Sequence, residues 1–207
     1  MDHEGFFGVL AAGGPVLAGM FLLSVYGVAL IWERWRFFRR ATGGYADFLA
    51  RVRAAAAAGK LQEAAALARQ HRGLAAGVIA ATLSGPPHRE ERQRSAERAI
   101  GRAAAELERG LATLGTIASV APFIGLFGTV VGVMRAFHDL ASAAGAGPGL
   151  VAVGISEALV TTAAGLLVAI PSVAAFKAFN QRIARFQEDL GWAVEEVLDG
   201  LSERAHR

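Results

Sequence analysis

The sequence predicts an all-α integral membrane protein with three transmembrane helices and long cytoplasmic helical extensions. Three observations carry that prediction. Runs from Pro15 to Trp32, Gly110 to Met134 and Leu140 to Phe176 contain a single charged residue between them, Glu157. A membrane helix needs about 20 such residues, and buried helices of soluble proteins rarely reach 25 without a charge. The apolar fraction of 54% and mean hydropathy of +0.39 are high for a soluble chain of 207 residues. Finally, fifteen of the 21 Lys and Arg lie between Arg34 and Arg109, five more lie from Lys177 to Arg207, and only Arg135 remains. That asymmetry is the positive-inside pattern, and it places both basic segments in the cytoplasm. It also accounts for the pI of 9.9 without nucleic acid as a partner.

Residues 1–14 are expected to form the outer N-terminal segment. They carry Asp2 and Glu4 but no Lys or Arg, so no cleavable signal peptide is expected. Phe6, Phe7, Val9 and Leu10 suit a short helix on the membrane surface. Pro15 opens transmembrane helix 1 (15–33), since proline suits the first helical turn. Tyr26, Trp32, Trp35, Arg34, Arg36, Arg39 and Arg40 mark its inner end as interfacial anchors.

The cytoplasmic domain, 34–110, reads helical from its Ala, Leu, Glu and Arg content. Breaks are expected at Gly59-Lys60, Arg72-Gly73 and Gly85-Pro86-Pro87. A long amphipathic helix is expected to run from Arg89 through Arg109 directly into transmembrane helix 2 (111–136). Gly145-Ala146-Gly147-Pro148-Gly149 is expected to form the turn of the outer loop, 137–150. Transmembrane helix 3 (151–176) continues as a cytoplasmic C-terminal helix (177–207). There Phe179, Ile183, Phe186, Leu190, Val194, Val197 and Leu201 recur every three or four positions and need a packing partner.

The chemistry concentrates in the second and third spans. Thr113, Gly115, Ala118, Pro122, Gly125, Thr129, Gly132 and Ala136 share one helical face. Gly154, Ala158, Thr161, Thr162, Gly165, Ala169 and Ser172 share another, with Glu157 at its edge. A carboxylate at membrane depth faces a cavity, a partner or an ion path. Small residues, Gly125, Gly128 and Gly132 among them, also serve simple helix packing. A threonine can satisfy itself on its own helix, so packing and pore-lining readings stand side by side. Pro122 and Pro171 are expected to bend their helices. From the helical rise, Thr129 lies ~24 Å and Thr162 ~18 Å from the inner boundary, at one level within the accuracy of the span limits. Glu157 lies one to two turns further out.

Other chemistries find little support. Cysteine is absent, which excludes disulfides and thiolate metal sites. The five histidines are scattered without ligand spacing. No catalytic residue, metal site or cofactor is expected. An intramembrane hydrolase built on Glu157 and a threonine lacks a His or Lys base and a second carboxylate in the spans.

Two stretches carry a resemblance. One is Ala121-Pro122-Phe123-Ile124-Gly125-Leu126-Phe127-Gly128-Thr129-Val130-Val131-Gly132-Val133-Met134. The other is Gly154-Ile155-Ser156-Glu157-Ala158-Leu159-Val160-Thr161-Thr162-Ala163-Ala164-Gly165, followed by Ala169-Ile170-Pro171. Together they resemble the MotA/TolQ/ExbB proton-channel family, most closely its ExbB and TolQ branch. The resemblance implies a homopentamer in the bacterial inner membrane, N-terminus periplasmic and C-terminus cytoplasmic. Its second and third helices would line a central pore holding an ExbD- or TolR-type single-span partner, whose aspartate carries the proton. A TonB- or TolA-type transducer would take the work to the outer membrane. Thr129 and Thr162 match the pore-lining threonines and Glu157 the motif glutamate. Gly125, Gly128, Gly132, Gly154, Ala158 and Gly165 match the packing and pore face, and Thr161 is a hydroxyl where many relatives have a small apolar residue. Glu157 alone cannot carry a proton across a core of about 30 Å, so an acid on a partner helix fits the gap.

The expected function is therefore an ExbB-type subunit energising TonB-dependent import. A TolQ-type subunit serving envelope integrity and division is the alternative. A membrane scaffold without ion conduction is the alternative of another class.

Overall fold

The computed structural model describes residues 14–142 and 148–205, and the described residues form seven α-helices without a strand. These are α1 (Gly14–Ala41), α2 (Tyr45–Ala57), α3 (Leu61–Gln70), α4 (Leu74–Leu83), α5 (Arg89–Glu108), α6 (Leu111–Ser142) and α7 (Pro148–Ala205). The expected surface helix at Phe6–Leu10 lies outside the described residues. The chain divides into two units, 1–32 with 110–177 and 33–109 with 178–207.

The first unit holds the apolar lengths of α1, α6 and α7. Each contains an 18-residue stretch of mean hydropathy 2.0, less than a third of it buried within the chain. Helices of that length and composition fit a membrane protein. Met20, Ile117, Ala121, Val168 and Ala169 form the inner contact, with Leu23 and Ile124 against it. Phe123 and Leu167 point outward at 70% and 73% exposure. So much apolar surface is costly in water and needs lipid or neighbouring chains to cover it.

The second unit packs α2 to α5 and the lower part of α7. Phe48, Val52, Ala64, Ala75, Ile79, Ala96, Phe186, Leu190 and Val197 are buried. The predicted apolar period on α7 is the face that enters this core. Helix breaks fall at the expected glycine and proline positions: 58–60, 71–73 and 84–88 separate the helices. Tyr45 Oη donates to the Asp189 carboxylate (2.8 Å). Its pKa is pushed up to about 12, first by burial and then by the hydrogen bond and charge of Asp189, with Arg185 opposing. His71 stacks on Phe48 with ring centroids 4.4 Å apart.

Two expectations are corrected. The helix from Arg89 does not run on into the second span. It ends at Glu108, and Gly110 adopts φ 84°, a left-handed conformation open to glycine and costly for other residues. The Arg34 guanidinium donates to the carbonyl of Arg109 at this break, supplying a partner for a backbone group freed at the helix end. Pro148 and Gly149, expected in the turn before the third span, already belong to α7. Proline at a helix start loses no hydrogen bond there.

Candidate functional site

The two small-residue stripes meet each other. α6 and α7 run antiparallel in a seam where glycine spacing decides how near the backbones come. A Cβ on Gly125 would stand 2.8 Å from the Thr161 carbonyl oxygen, and one on Gly165 would stand 2.8 Å from that of Ala121. Further along, a Cβ on Gly132 would meet Ala158 Cβ at 2.7 Å, and one on Gly154 would meet Ala136 Cβ at 2.5 Å. Gly128 faces both Thr161 and Val16 of α1. The two helices thus touch through backbone, as in small-residue packing between membrane helices.

Where the seam is closest, three hydroxyls converge. Thr129 Oγ1 on α6 is hydrogen-bonded to Thr162 Oγ1 on α7. It also lies 3.2 Å from the Gly125 carbonyl oxygen and 3.2 Å from that of Ala158. Thr161 donates to the Ala158 carbonyl at 2.7 Å and reaches the Gly125 carbonyl at 3.2 Å. Thr162 lies 3.3 Å from the same Gly125 oxygen. Three donors therefore share two carbonyl acceptors and one another. Thr161 is buried at 3% exposure, whereas Thr129 and Thr162 are half-buried. A hydroxyl donates one hydrogen bond and accepts two. The Thr129–Thr162 pair consequently keeps acceptor capacity.

Glu157 does not enter this cluster. It is exposed and lies one turn along α7 from Thr161. Together they line a groove of about 380 Å³, with Pro15 and Val16 of α1, Gly128, Gly132, Arg135 and Asp139 of α6, and Gly154 of α7 on its walls. Sequence reading missed Arg135 and Asp139. Their i, i+4 spacing puts both on one helical face, and Arg135 stood out as the one Lys or Arg outside the two basic segments. Pro122 and Pro171 lie within α6 and α7, each of which continues as one helix through them. No group of three His, Asp or Glu among the described residues could hold a metal ion.

The profile of the MotA/TolQ/ExbB proton channel family matches residues 64–191. The chain is 43% identical over 107 residues to the Tol-Pal system protein TolQ of Haemophilus influenzae, covering 52% of this chain and 47% of that protein. It is 40% identical over 102 residues to the biopolymer transport protein ExbB of Pseudomonas putida, covering 49% and 31%. Those alignments span less than half the length of these curated relatives. The chain is 32% identical over 201 residues to the biopolymer transport protein ExbB of Neisseria gonorrhoeae, covering 88% of this chain and 90% of that one. The family match takes in both stripes, all three threonines and Glu157. On that match and on three helices apolar enough to cross a membrane, the chain belongs to the MotA/TolQ/ExbB proton channel family.

Proposed function

We propose that the chain is an ExbB-type subunit of an inner-membrane motor driven by the proton motive force. It would act as a homopentamer around a pore, with an ExbD-type single-span partner inside and a TonB-type transducer carrying work outward. The observation that supports this most is the Thr129–Thr162 hydroxyl pair beside the Gly125 and Ala158 carbonyls, with Thr161 and Glu157, one turn apart, lining the adjoining groove. A partner carboxyl alternates between a protonated form that donates and an ionised form that accepts. A hydroxyl pair that both donates and accepts can serve either form without a charge of its own. Each proton entering down a 100 mV potential supplies about 2.3 kcal/mol, so a few protons suffice for a rearrangement of subunits.

Relatives named TolQ and ExbB match at similar identity, so a TolQ-type role in envelope integrity is the second reading. Complementation separates the two. The gene is placed in a strain lacking ExbB and in one lacking TolQ, and iron-chelate uptake and detergent resistance are measured. Restored uptake with unrestored resistance is the expected result. The reverse overturns the ExbB assignment in favour of the TolQ one. Failure of both, with the protein present in the membrane, favours a scaffold without ion conduction.

A further inference from the structure

We propose that the turn between α1 and α2 and the facing stretch of α7 form a binding site for the headgroup of an anionic phospholipid. The cavity is about 380 Å³ and is lined by Phe38, Arg39, Thr42, Gly43, Tyr45, Arg182 and Arg185. Three arginines line it and no acidic residue does.

Local structure creates the gap. The chain reverses within Thr42–Gly44, and Gly44 takes φ 68°. Thr42 binds back to the Phe38 carbonyl through its backbone N–H (2.9 Å) and its hydroxyl (2.8 Å). Arg39 lies over the Trp35 ring, 4.9 Å from its centroid, which fixes the direction of its side chain. Phe38 is buried with its ring 6.1 Å from that of Phe179, giving the cavity an apolar floor.

The charge balance points to an anion. Further down α7 two acids are paired: Arg53 meets Glu196 at 2.8 Å and Arg89 meets Asp199 at 2.6 Å. Asp189, whose partner Tyr45 lines the cavity, accepts from the Tyr45 hydroxyl. Arg39, Arg182 and Arg185 form no salt bridge with any described residue. Guanidinium forks match phosphate oxygens two at a time.

Position identifies the anion as lipid. Arg39 follows Trp32 by seven residues on the same helix, about 10 Å along its axis. Trp32 ends the apolar run and marks the interfacial level. A distance of that size beyond it reaches the headgroup layer, where basic pockets collect anionic lipid.

The test uses the full-length protein in detergent, with short-chain phosphatidylglycerol and phosphatidylcholine titrated in parallel and bound lipid counted by native mass spectrometry. The wild type should favour phosphatidylglycerol by roughly tenfold or more, as expected for two or three interfacial arginines. Arg182→Gln/Arg185→Gln should bring the two lipids to near equality. Arg98→Gln/Arg102→Gln, at exposed positions on α5, should behave as wild type. Arg182→Gln alone should shift the preference in the same direction by less, which keeps the test open if the double variant misfolds. Equal binding of both lipids by the wild type overturns the proposal, as does unchanged preference in a folded double variant. Loss of the preference on adding millimolar inorganic phosphate also overturns it, because the site would then serve soluble phosphate.

Discussion

Thr129 and Thr162 hydrogen-bond hydroxyl to hydroxyl between two antiparallel helices, at a point where glycines bring the backbones into contact. The third hydroxyl, on Thr161, is employed differently: it is buried and donates at 2.7 Å to the carbonyl of Ala158 on its own helix. Thr161→Ala should therefore cost about 1 kcal/mol of stability, the value of one satisfied hydrogen bond, while coupling persists. Thermal unfolding in detergent and iron-chelate uptake, measured on the same variant, check the two halves of that statement.

The seam itself rests on absent side chains. Gly125→Ala or Gly165→Ala would press a methyl group to 2.8 Å from a carbonyl oxygen of the facing helix. Overpacking of that kind costs about 1–3 kcal/mol and should lower the amount of assembled protein in the membrane. Gly101 offers the contrast. It lies inside α5 with nothing within 4 Å of a built Cβ, so Gly101→Ala should stabilise by about 0.5–1 kcal/mol. Thermal scans of the three variants should differ in sign.

Much of this was readable in advance. Gly59-Lys60, Arg72-Gly73 and Gly85-Pro86-Pro87 punctuate the helices because glycine and proline act on the local backbone. The meeting of Thr129 and Thr162 follows from the fixed rise of two antiparallel helices. The break at Gly110 was hidden because Leu107, Leu111 and Leu114 carry one apolar period straight through it. The differing burial of Thr161 and Thr162 was hidden for another reason. Both lie on the small-residue stripe, and a stripe does not fix the rotation of a helix against its neighbour. Arg135 entered the sequence reading only as a leftover charge and Asp139 not at all, because only the groove brings them onto one surface with Glu157.

Tyr45 gives a pH dependence. Its folded-state pKa of about 12 lies above the ordinary tyrosine value of 10.0, so the native state holds the phenol proton more tightly than the unfolded chain does. The linked stability is fully present below pH about 10 and is lost as pH rises from there toward about 12. Tyr45→Phe should flatten that loss. Denaturant midpoints of the two proteins across this range should converge at the alkaline end.

Glu157 stands exposed on the groove rather than in the hydroxyl cluster. Glu157→Ala should leave folding and membrane level unchanged while removing energised uptake. Normal iron-chelate uptake and normal envelope integrity at equal protein level would show that this carboxylate has no part in coupling.

The most direct test of the central claim compares Thr162→Ser with Thr162→Val at matched membrane levels, reading energised uptake driven by the proton motive force. Serine keeps the hydroxyl, whereas valine keeps the shape and loses it. The expected result is near-normal uptake with serine and loss of most uptake with valine. Full uptake in the valine variant would contradict the claim and reduce the seam to packing.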